Sequence, residues 1–318
     1  MRSKKKQLYM NKYAIVDIGT NTILLLICNL DENGNIKFIH HAEKTPRIGK
    51  DVDNSKNIGH TSFLKTAEII KDYKKISDSF NADKLIAVGT SALRDANNKK
   101  EFVEFIYAET GVRVEIINGS DEAHWSYRGA LSFLKVDPLQ YYSVIDIGGG
   151  STEIITGKGT NIINNVSIDV GAVRLTERFF KNNPPNSDEI KCAKMFLYNE
   201  FEKLNSLKLI PESFIGIAGT ITSLAMIDQG EHEIICDHVN GYRLSFASIS
   251  NILNSMKEFT VNDIEDKYFV KQGRSDIVFA GTLILHSFME QFNIPSITVS
   301  TNGLRHGIAI REFELQTT

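Results

Sequence analysis

Two short segments carry residue types that together could hold a phosphate and a cation. Val16-Asp17-Ile18-Gly19-Thr20-Asn21-Thr22 and Ile145-Asp146-Ile147-Gly148-Gly149-Gly150-Ser151-Thr152-Glu153 each pass from apolar residues into Asp, then Gly, then small hydroxyl or glycine residues. A second apolar run follows each, so each reads as a tight hairpin. Glycine there permits positive φ and a close backbone approach, while successive amide N–H groups and Ser/Thr hydroxyls can point at anionic oxygens. The candidate phosphate contacts are Gly19, Thr20, Asn21 and Thr22 with Asp17, and Gly148, Gly149, Gly150, Ser151 and Thr152. Asp17 and Asp146 would repel a phosphate directly, so their chemistry is to hold a cation or a water beside one. One such turn is an ordinary hairpin; two make a clamp.

The elements that carry these turns are repeated. The apolar pattern predicts strands near 13–18, 23–30 and 36–41, a helix near 61–80, a strand at 84–88, a helix near 98–109 and a strand at 113–117. Leu64, Ala67, Ile70, Tyr73, Ile76 and Phe80 give the 61–80 helix one apolar face. The second half repeats the order, with strands near 142–147, 151–157 and 161–168, a helix around 187–206, a strand at 214–218, further helix, and a strand at 296–300. Three hairpin-linked strands followed by alternating helices and strands, given twice, imply two α/β domains with mixed sheets around a cleft. Residues 12–138 are assigned to the first domain and 139–304 to the second, with Val136-Asp137-Pro138 at the boundary and a helix over 305–318 returning to the first. Pro184-Pro185-Asn186-Ser187-Asp188 reads as a loop in which Ser or Asp caps the next helix.

A length of 318 residues gives each half its own core. The net charge of −3 offers no electrostatic basis for nucleic-acid binding, so a polyanion must be met by a local cluster of cations. Cys28, Cys192 and Cys236 are dispersed and odd in number, which fits a reducing cytoplasm rather than a disulfide framework or a zinc site. No apolar run approaches a membrane span. The basic opening Met1-Arg2-Ser3-Lys4-Lys5-Lys6 lacks a following apolar stretch, so it reads as a leader outside the fold and not as a secretory signal.

The paired motifs resemble those of the acetate and sugar kinase, Hsp70 and actin superfamily. Other segments are similar to one branch of it, the exopolyphosphatase and guanosine pentaphosphate phosphatase (Ppx/GppA) family. They are Gly89-Thr90-Ser91-Ala92-Leu93-Arg94-Asp95-Ala96, Asn118-Gly119-Ser120-Asp121-Glu122-Ala123, Asp169-Val170-Gly171-Ala172-Val173-Arg174-Leu175, Gly216-Ile217-Ala218-Gly219-Thr220, Gly273-Arg274-Ser275-Asp276 and Gly303-Leu304-Arg305. The resemblance spans roughly residues 12 to 312 and implies two ribonuclease H-like (actin-like ATPase) domains flanking a central cleft.

From the residues alone, Asp121 and Glu122 suit the N-terminus of a helix, where the dipole favours acids. The resemblance assigns Glu122 as the general base, the second acid of the family's Glu-Glu-Ala, with Asp121 departing from the first. It likewise implies that Arg94 meets the substrate phosphate, a task suited to a bidentate guanidinium, and that Asp146 and Glu153 hold Mg²⁺ through water. Arg47 and Lys44 could extend a cationic track. The turn at 216–220 matches the adenosine position of ATP-using relatives and reads here as a close-packed turn. The family's Leu-Arg-Glu-Gly becomes Leu304-Arg305-His306-Gly307, which alters whatever that glutamate does.

The resemblance implies a cytoplasmic, Mg²⁺-dependent phosphohydrolase releasing terminal phosphate from inorganic polyphosphate or a guanosine penta- or tetraphosphate. A monovalent cation and a homodimer are left open, and neither nucleic acid nor membrane is expected as a partner. Larger members carry a C-terminal helical extension that this sequence lacks after Thr318, so a short phosphate track with frequent release is expected. The alternatives are an ATP-dependent small-molecule kinase of the same fold and a non-catalytic alarmone or polyphosphate sensor.

Overall fold

A computed structural model describes residues 11–30, 36–205, 209, 213–232 and 236–317; the basic opening segment and Thr318 lie outside them. The first half runs β1 (Lys12–Ile18), β2 (Ile23–Leu30), β3 (Ile36–Lys44), α1 (Val52–Ser55), α2 (His60–Ser79), β4 (Lys84–Gly89), α3 (Ser91–Asp95), α4 (Lys99–Thr110), β5 (Val114–Ile116) and α5 (Gly119–Leu131). The second runs β6 (Tyr141–Ile147), β7 (Thr152–Lys158), β8 (Asn161–Ile168), α6 (Ala172–Phe179), α7 (Ser187–Glu202), β9 (Phe214–Ile217), α8 (Ala218–Gln229), α9 (Cys236–Val239), β10 (Arg243–Ser245), α10 (Phe246–Met256), α11 (Val261–Tyr268), α12 (Ser275–Gln291), β11 (Ser296–Val299) and α13 (Leu304–Thr317).

The first sheet has the order β3-β2-β1-β4-β5 and the second β10-β11-β9-β6-β7-β8. In each, two antiparallel hairpin connections precede parallel crossovers. The same mixed sheet is therefore built twice, and β10 adds a short antiparallel edge to the second. No periodicity in its three residues announces that strand.

Each sheet is covered on both faces. Phe63, Ala67, Ile70 and Tyr73 of α2, with Phe102 and Ile106 of α4, pack on Val16, Ile18, Leu25 and Ala87. The 61–80 helix is thus present, but its inward residue in the first turn is Phe63, and Leu64 is exposed. Its Cβ lies about 100° round the helix from that of Phe63, so only one of the two can face the sheet. On the second sheet, α7, α8, α10 and α12 form the larger core with Leu197, Leu224, Leu253 and Leu283. The cap of α7 is Asn186 and not Ser187 or Asp188 as expected: Asn186 forms a box with Glu189, accepting the Glu189 amide at 2.9 Å while Glu189 accepts the Asn186 amide.

The remaining two faces are covered by helices that cross between the halves. Ala123, Tyr127, Ala130 and Leu131 of α5, which follows the first sheet in sequence, pack on Tyr142, Val144, Ile155 and Ile215 of the second. Leu304, Ile308 and Phe313 of α13, which follows the second sheet, pack on Tyr13, Ile15, Leu26 and Val88 of the first. The helices meet at glycines: a Cβ on Gly129 would lie 2.0 Å from the Gly303 carbonyl oxygen, and one on Gly307 would lie 1.8 Å from that of Trp125. Arg128 of α5 and Glu314 of α13 add an ion pair at 2.6 Å. Their backbones can approach this closely only without side chains there, and backbone neighbours cannot rotate away. Gly307→Ala should therefore destabilise the protein by about 1–3 kcal/mol or more, measured by urea unfolding; an unchanged midpoint would show that the crossing has slack.

Candidate active site in the cleft

The two glycine turns are the same structure. The Gly19 amide donates to the Thr22 carbonyl at 3.0 Å between β1 and β2, and the Gly148 amide donates to the Ser151 carbonyl at 3.0 Å between β6 and β7. None of Gly19, Gly148, Gly149 and Gly150 has positive φ, so conformational licence is not why glycine is there. Space is. A Cβ on Gly149 would stand 3.1 Å from Thr20 Cβ, and one on Gly150 would stand 2.5 Å from Ser91 Oγ and 2.9 Å from Thr20 Oγ1. The turns therefore touch across the cleft.

Each turn is braced from behind. The amides of Arg47 and Gly49 donate to the Asn21 and Thr20 carbonyls at 3.0 and 2.8 Å, and Asn21 Nδ2 donates to the Gly273 carbonyl at 2.9 Å. At the second turn, the Ala172 amide donates to the Gly148 carbonyl at 2.9 Å, and the Val173 and Arg174 amides donate to that of Gly149 at 2.9 and 3.1 Å. With those carbonyls engaged by α6, the groups left to meet a ligand are amide N–H donors.

Carboxylates close the site. Asp17 and Asp146 lie one residue before the ends of β1 and β6, and Glu122 enters from the first turn of α5; all three line a cleft of about 180 Å³ between the sheets. Glu122 is 8% exposed, and its Oε2 accepts from Arg94 Nη1 at 2.6 Å. Arg94 also donates to the Ile117 carbonyl at 3.3 Å. Asp146 Oδ2 accepts from Ser126 Oγ, one helical turn beyond Glu122, at 3.0 Å. Burial raises the proton affinity of Glu122, opposed by Arg94. Burial, then the neighbouring Glu122, pushes Asp17 and Asp146 up to about 7. Glu153 is raised well above the ordinary range by burial, then Glu122 and Asp146.

Comparison with known proteins gives matches over most of the chain. The model of the Ppx/GppA phosphatase family matches residues 27–315. The chain belongs to that family. It is 31% identical over 319 residues to the bifunctional 3-dehydroquinate synthase/phosphatase of Fusobacterium nucleatum, covering 96% of this chain and 47% of that protein, so it spans about half of that relative. It is 27% identical to exopolyphosphatase 2 of Mycobacterium tuberculosis, covering 95% of this chain and 98% of that protein. The crystal structure of the Aquifex aeolicus Ppx/GppA family member is similar with a TM-score of 0.82 at 30% identity, over 97% of this chain and 99% of that one. The ribonuclease H-like, actin-like ATPase architecture expected from the sequence is the one observed.

The Ppx/GppA cleft does not hold every residue singled out in the sequence. Gly19, Thr20, Asn21, Thr22, Gly148, Gly149, Gly150 and Ser151 line it with Asp17, Asp146 and Glu122. Thr152 does not: it is fully buried and its hydroxyl donates to the Val170 carbonyl at 2.5 Å. Strand alternation explains this, since Asp146 and Glu153 are directly paired on one face while Thr152 points to the other. Glu153 is 1% exposed and accepts from Ser167 Oγ at 2.7 Å, so it stands behind Asp146 instead of on the wall. Arg94 is bonded to Glu122. Arg47 pairs with Asp276 at 2.5 Å, and Lys44 is exposed at the end of β3. Asp121 pairs with the Asn118 cap instead of facing the cleft.

The cations on the wall are Arg274 and Arg305. Arg274 lies over Gly219, where a Cβ would meet its Nη1 at 2.5 Å, and pairs with Glu43 at 2.9 Å. Arg305 Nη1 donates to the Leu25 carbonyl at 3.0 Å. Both stand beside a helix start just after a glycine, at Gly273-Arg274 and Gly303-Leu304-Arg305, and that pattern is the signal by which the sequence could have nominated them. The 216–220 turn does reach the cleft through Ile217, Ala218, Gly219 and Thr220, with Ala218 at φ 74°. His306, in the place of the family's glutamate, is buried against Phe38, and its Nδ1 accepts the Gly303 amide at 3.2 Å; burial, then Arg305 and His41, keep its ring neutral.

The donor set suits a hard cation. Asp17 Oδ1 and Asn21 Oδ1 are buried without a partner. Among the described residues no three His, Cys, Asp or Glu side chains form a metal cage. Mg²⁺ needs none, since it keeps several waters and takes one or two carboxylates together with substrate phosphate; Asp17 and Asp146 fit that mode.

The raised carboxylates predict a pH dependence of stability. Asp17 and Asp146 sit near 7 against an ordinary 3.8, so between about pH 4 and 7 the folded state keeps protons that the unfolded chain has released. Their contribution is full at the acid end of that window and lost as pH rises through it. In chelator, the wild-type melting temperature should fall across the window relative to Asp146→Asn, which has one fewer acid to ionise. Parallel curves for the two proteins would contradict the shared burial of these acids.

Proposed function

We propose that the protein is a Mg²⁺-dependent phosphohydrolase that releases terminal orthophosphate from inorganic polyphosphate. The observation that carries this reading is Glu122, a buried carboxylate of raised proton affinity facing two touching phosphate turns. A phosphotransferase must keep water from the phosphoryl group, whereas a base aimed at the same cleft activates it. The Mycobacterium tuberculosis relative named exopolyphosphatase 2, alike over nearly its full length, supports the same substrate class.

In the proposed reaction the remaining amides of the two turns, within 20–22 and 149–151, hold the oxygens of the terminal phosphoryl group. Arg94 fixes Oε2 of Glu122, which leaves Oε1 to accept a proton from water. The water oxygen attacks the terminal phosphorus, its proton passes to Glu122, and the bond from phosphorus to the bridging oxygen breaks, leaving the shortened chain with that oxygen. Arg274 and Arg305 meet the phosphates behind the one being cleaved. Mg²⁺ bound at Asp17 and Asp146 would neutralise charge on the phosphate oxygens.

A second substrate is favoured by one feature: Leu24, Ile217, Ile277 and Val278 make part of the cleft wall apolar, and a bare phosphate chain has no use for such a surface. Cleavage of the terminal phosphoanhydride of guanosine pentaphosphate would use the same base and turns. Phosphate release from long polyphosphate, tripolyphosphate, guanosine pentaphosphate and ATP, run side by side, ranks them.

Glu122→Gln should lower kcat by roughly 10²–10⁴ with KM changed little, measured by phosphate release; near-normal turnover would remove Glu122 from the role of base. Excess chelator should abolish activity and added Mg²⁺ restore it. Full turnover in chelator would refute the cation's part.

A further inference from the structure

Arg174 is absorbed by none of the chemistry above, yet it is 7% exposed and engaged on every side. Its Nε donates to the Gly150 carbonyl at 2.8 Å, its Nη2 to Asp95 at 2.6 Å, and its Nη1 to Asp53. Gly150 belongs to the second glycine turn. Asp95 ends α3 directly after Arg94, the partner of Glu122, and Asp53 lies on α1. One guanidinium therefore joins the backbone of one phosphate turn to the two segments of the opposite half that stand behind the other turn. Thr20, Ser91, Gly150 and Arg174 line the same small cavity behind the point where the turns meet.

Only an arginine can make this junction. A planar fork with donors on three nitrogens can serve a carbonyl and two carboxylates at fixed angles, whereas an ammonium offers one point charge. A neighbour supplies a natural comparison. Arg178, one turn further along α6, also bridges the halves by holding Asp53 through Nε at 2.5 Å and Nη2 at 3.0 Å. It shares the acid with Arg174 but not the bond to Gly150.

We propose that Arg174 is a positioning residue: by holding the Gly150 carbonyl against Asp53 and Asp95 of the other half, it fixes the amides of the second turn relative to Glu122. As a statement about catalysis it rests on the phosphohydrolase reading. A displacement of the turn of about 1 Å would cost on the order of 10² in rate, while substrate is still held by the first turn, Arg274 and Arg305.

The test compares Arg174→Ala, Arg174→Lys and Arg178→Ala by two readouts, phosphate release from tripolyphosphate and amide hydrogen exchange over residues 148–151. Arg174→Ala should lower kcat about 10²-fold with KM within a few-fold and speed exchange in that turn. Arg174→Lys should do the same to a smaller extent, and Arg178→Ala should leave both readouts near wild type. Equal effects of Arg174→Ala and Arg178→Ala would reduce Arg174 to a tie between halves, and unchanged exchange in Arg174→Ala would overturn the proposal. If Arg174→Ala does not fold, Asp95→Asn together with Arg174→Lys carries the same comparison. If the wild type cleaves no phosphate substrate, the functional reading fails, and the exchange comparison still decides whether Arg174 positions the turn.

Discussion

The carboxylates of Asp17, Glu122, Asp146 and Glu153 share one low-dielectric region, and Glu122 raises the proton affinity of each of the other three. Like charges gathered in such a place cannot all ionise without a compensating cation. Arg94 compensates one of them directly, through its bond to Glu122. Ser126 and Ser167 satisfy oxygens of Asp146 and Glu153 without adding charge. Ionising the remaining acids therefore calls for positive charge from outside, which the proposed Mg²⁺ would provide.

Gathering those acids requires elements from both halves to meet at atomic distance, and the chain achieves this with missing side chains. Gly149 and Gly150 let the second turn touch Thr20 and Ser91, while Gly129 and Gly307 let α5 and α13 cross. Because α5 packs on the second sheet, Glu122 and Ser126 on its cleft-facing side are held in the frame of Asp146. Arg94, which orients Glu122, comes from the first half. The site is therefore sensitive to how the halves sit on one another, and the ion pairs Arg47–Asp276, Arg274–Glu43 and Arg174–Asp53 all cross that boundary.

Much of this was legible in the sequence because it is local. Hairpin turns, the period of α2 and the acidic start of α5 depend on near neighbours, and the repeated order of elements implied two mixed sheets. What escaped was non-local. Arg274 and Arg305 reach the cleft from helix starts far along the chain from the turns they face, and no spacing rule links them. The return of the last helix to the first half was expected, but the packing of α5 on the second sheet depends on the glycine crossing and not on that helix's own pattern. Thr152 and Glu153 were nearer to being readable: once Asp146 faces the cleft, strand alternation sends Thr152 to the opposite face, and only the depth of Glu153 needs the structure.

In the proposed reaction water, activated by Glu122, attacks the terminal phosphorus. Hydrolysis of tripolyphosphate in ¹⁸O-labelled water, with orthophosphate and pyrophosphate analysed by mass spectrometry at early turnover, tests it most directly. Each released orthophosphate should carry one labelled oxygen and the shortened chain none. Label in the shortened chain, or phosphate delivered unlabelled to another acceptor, would contradict it.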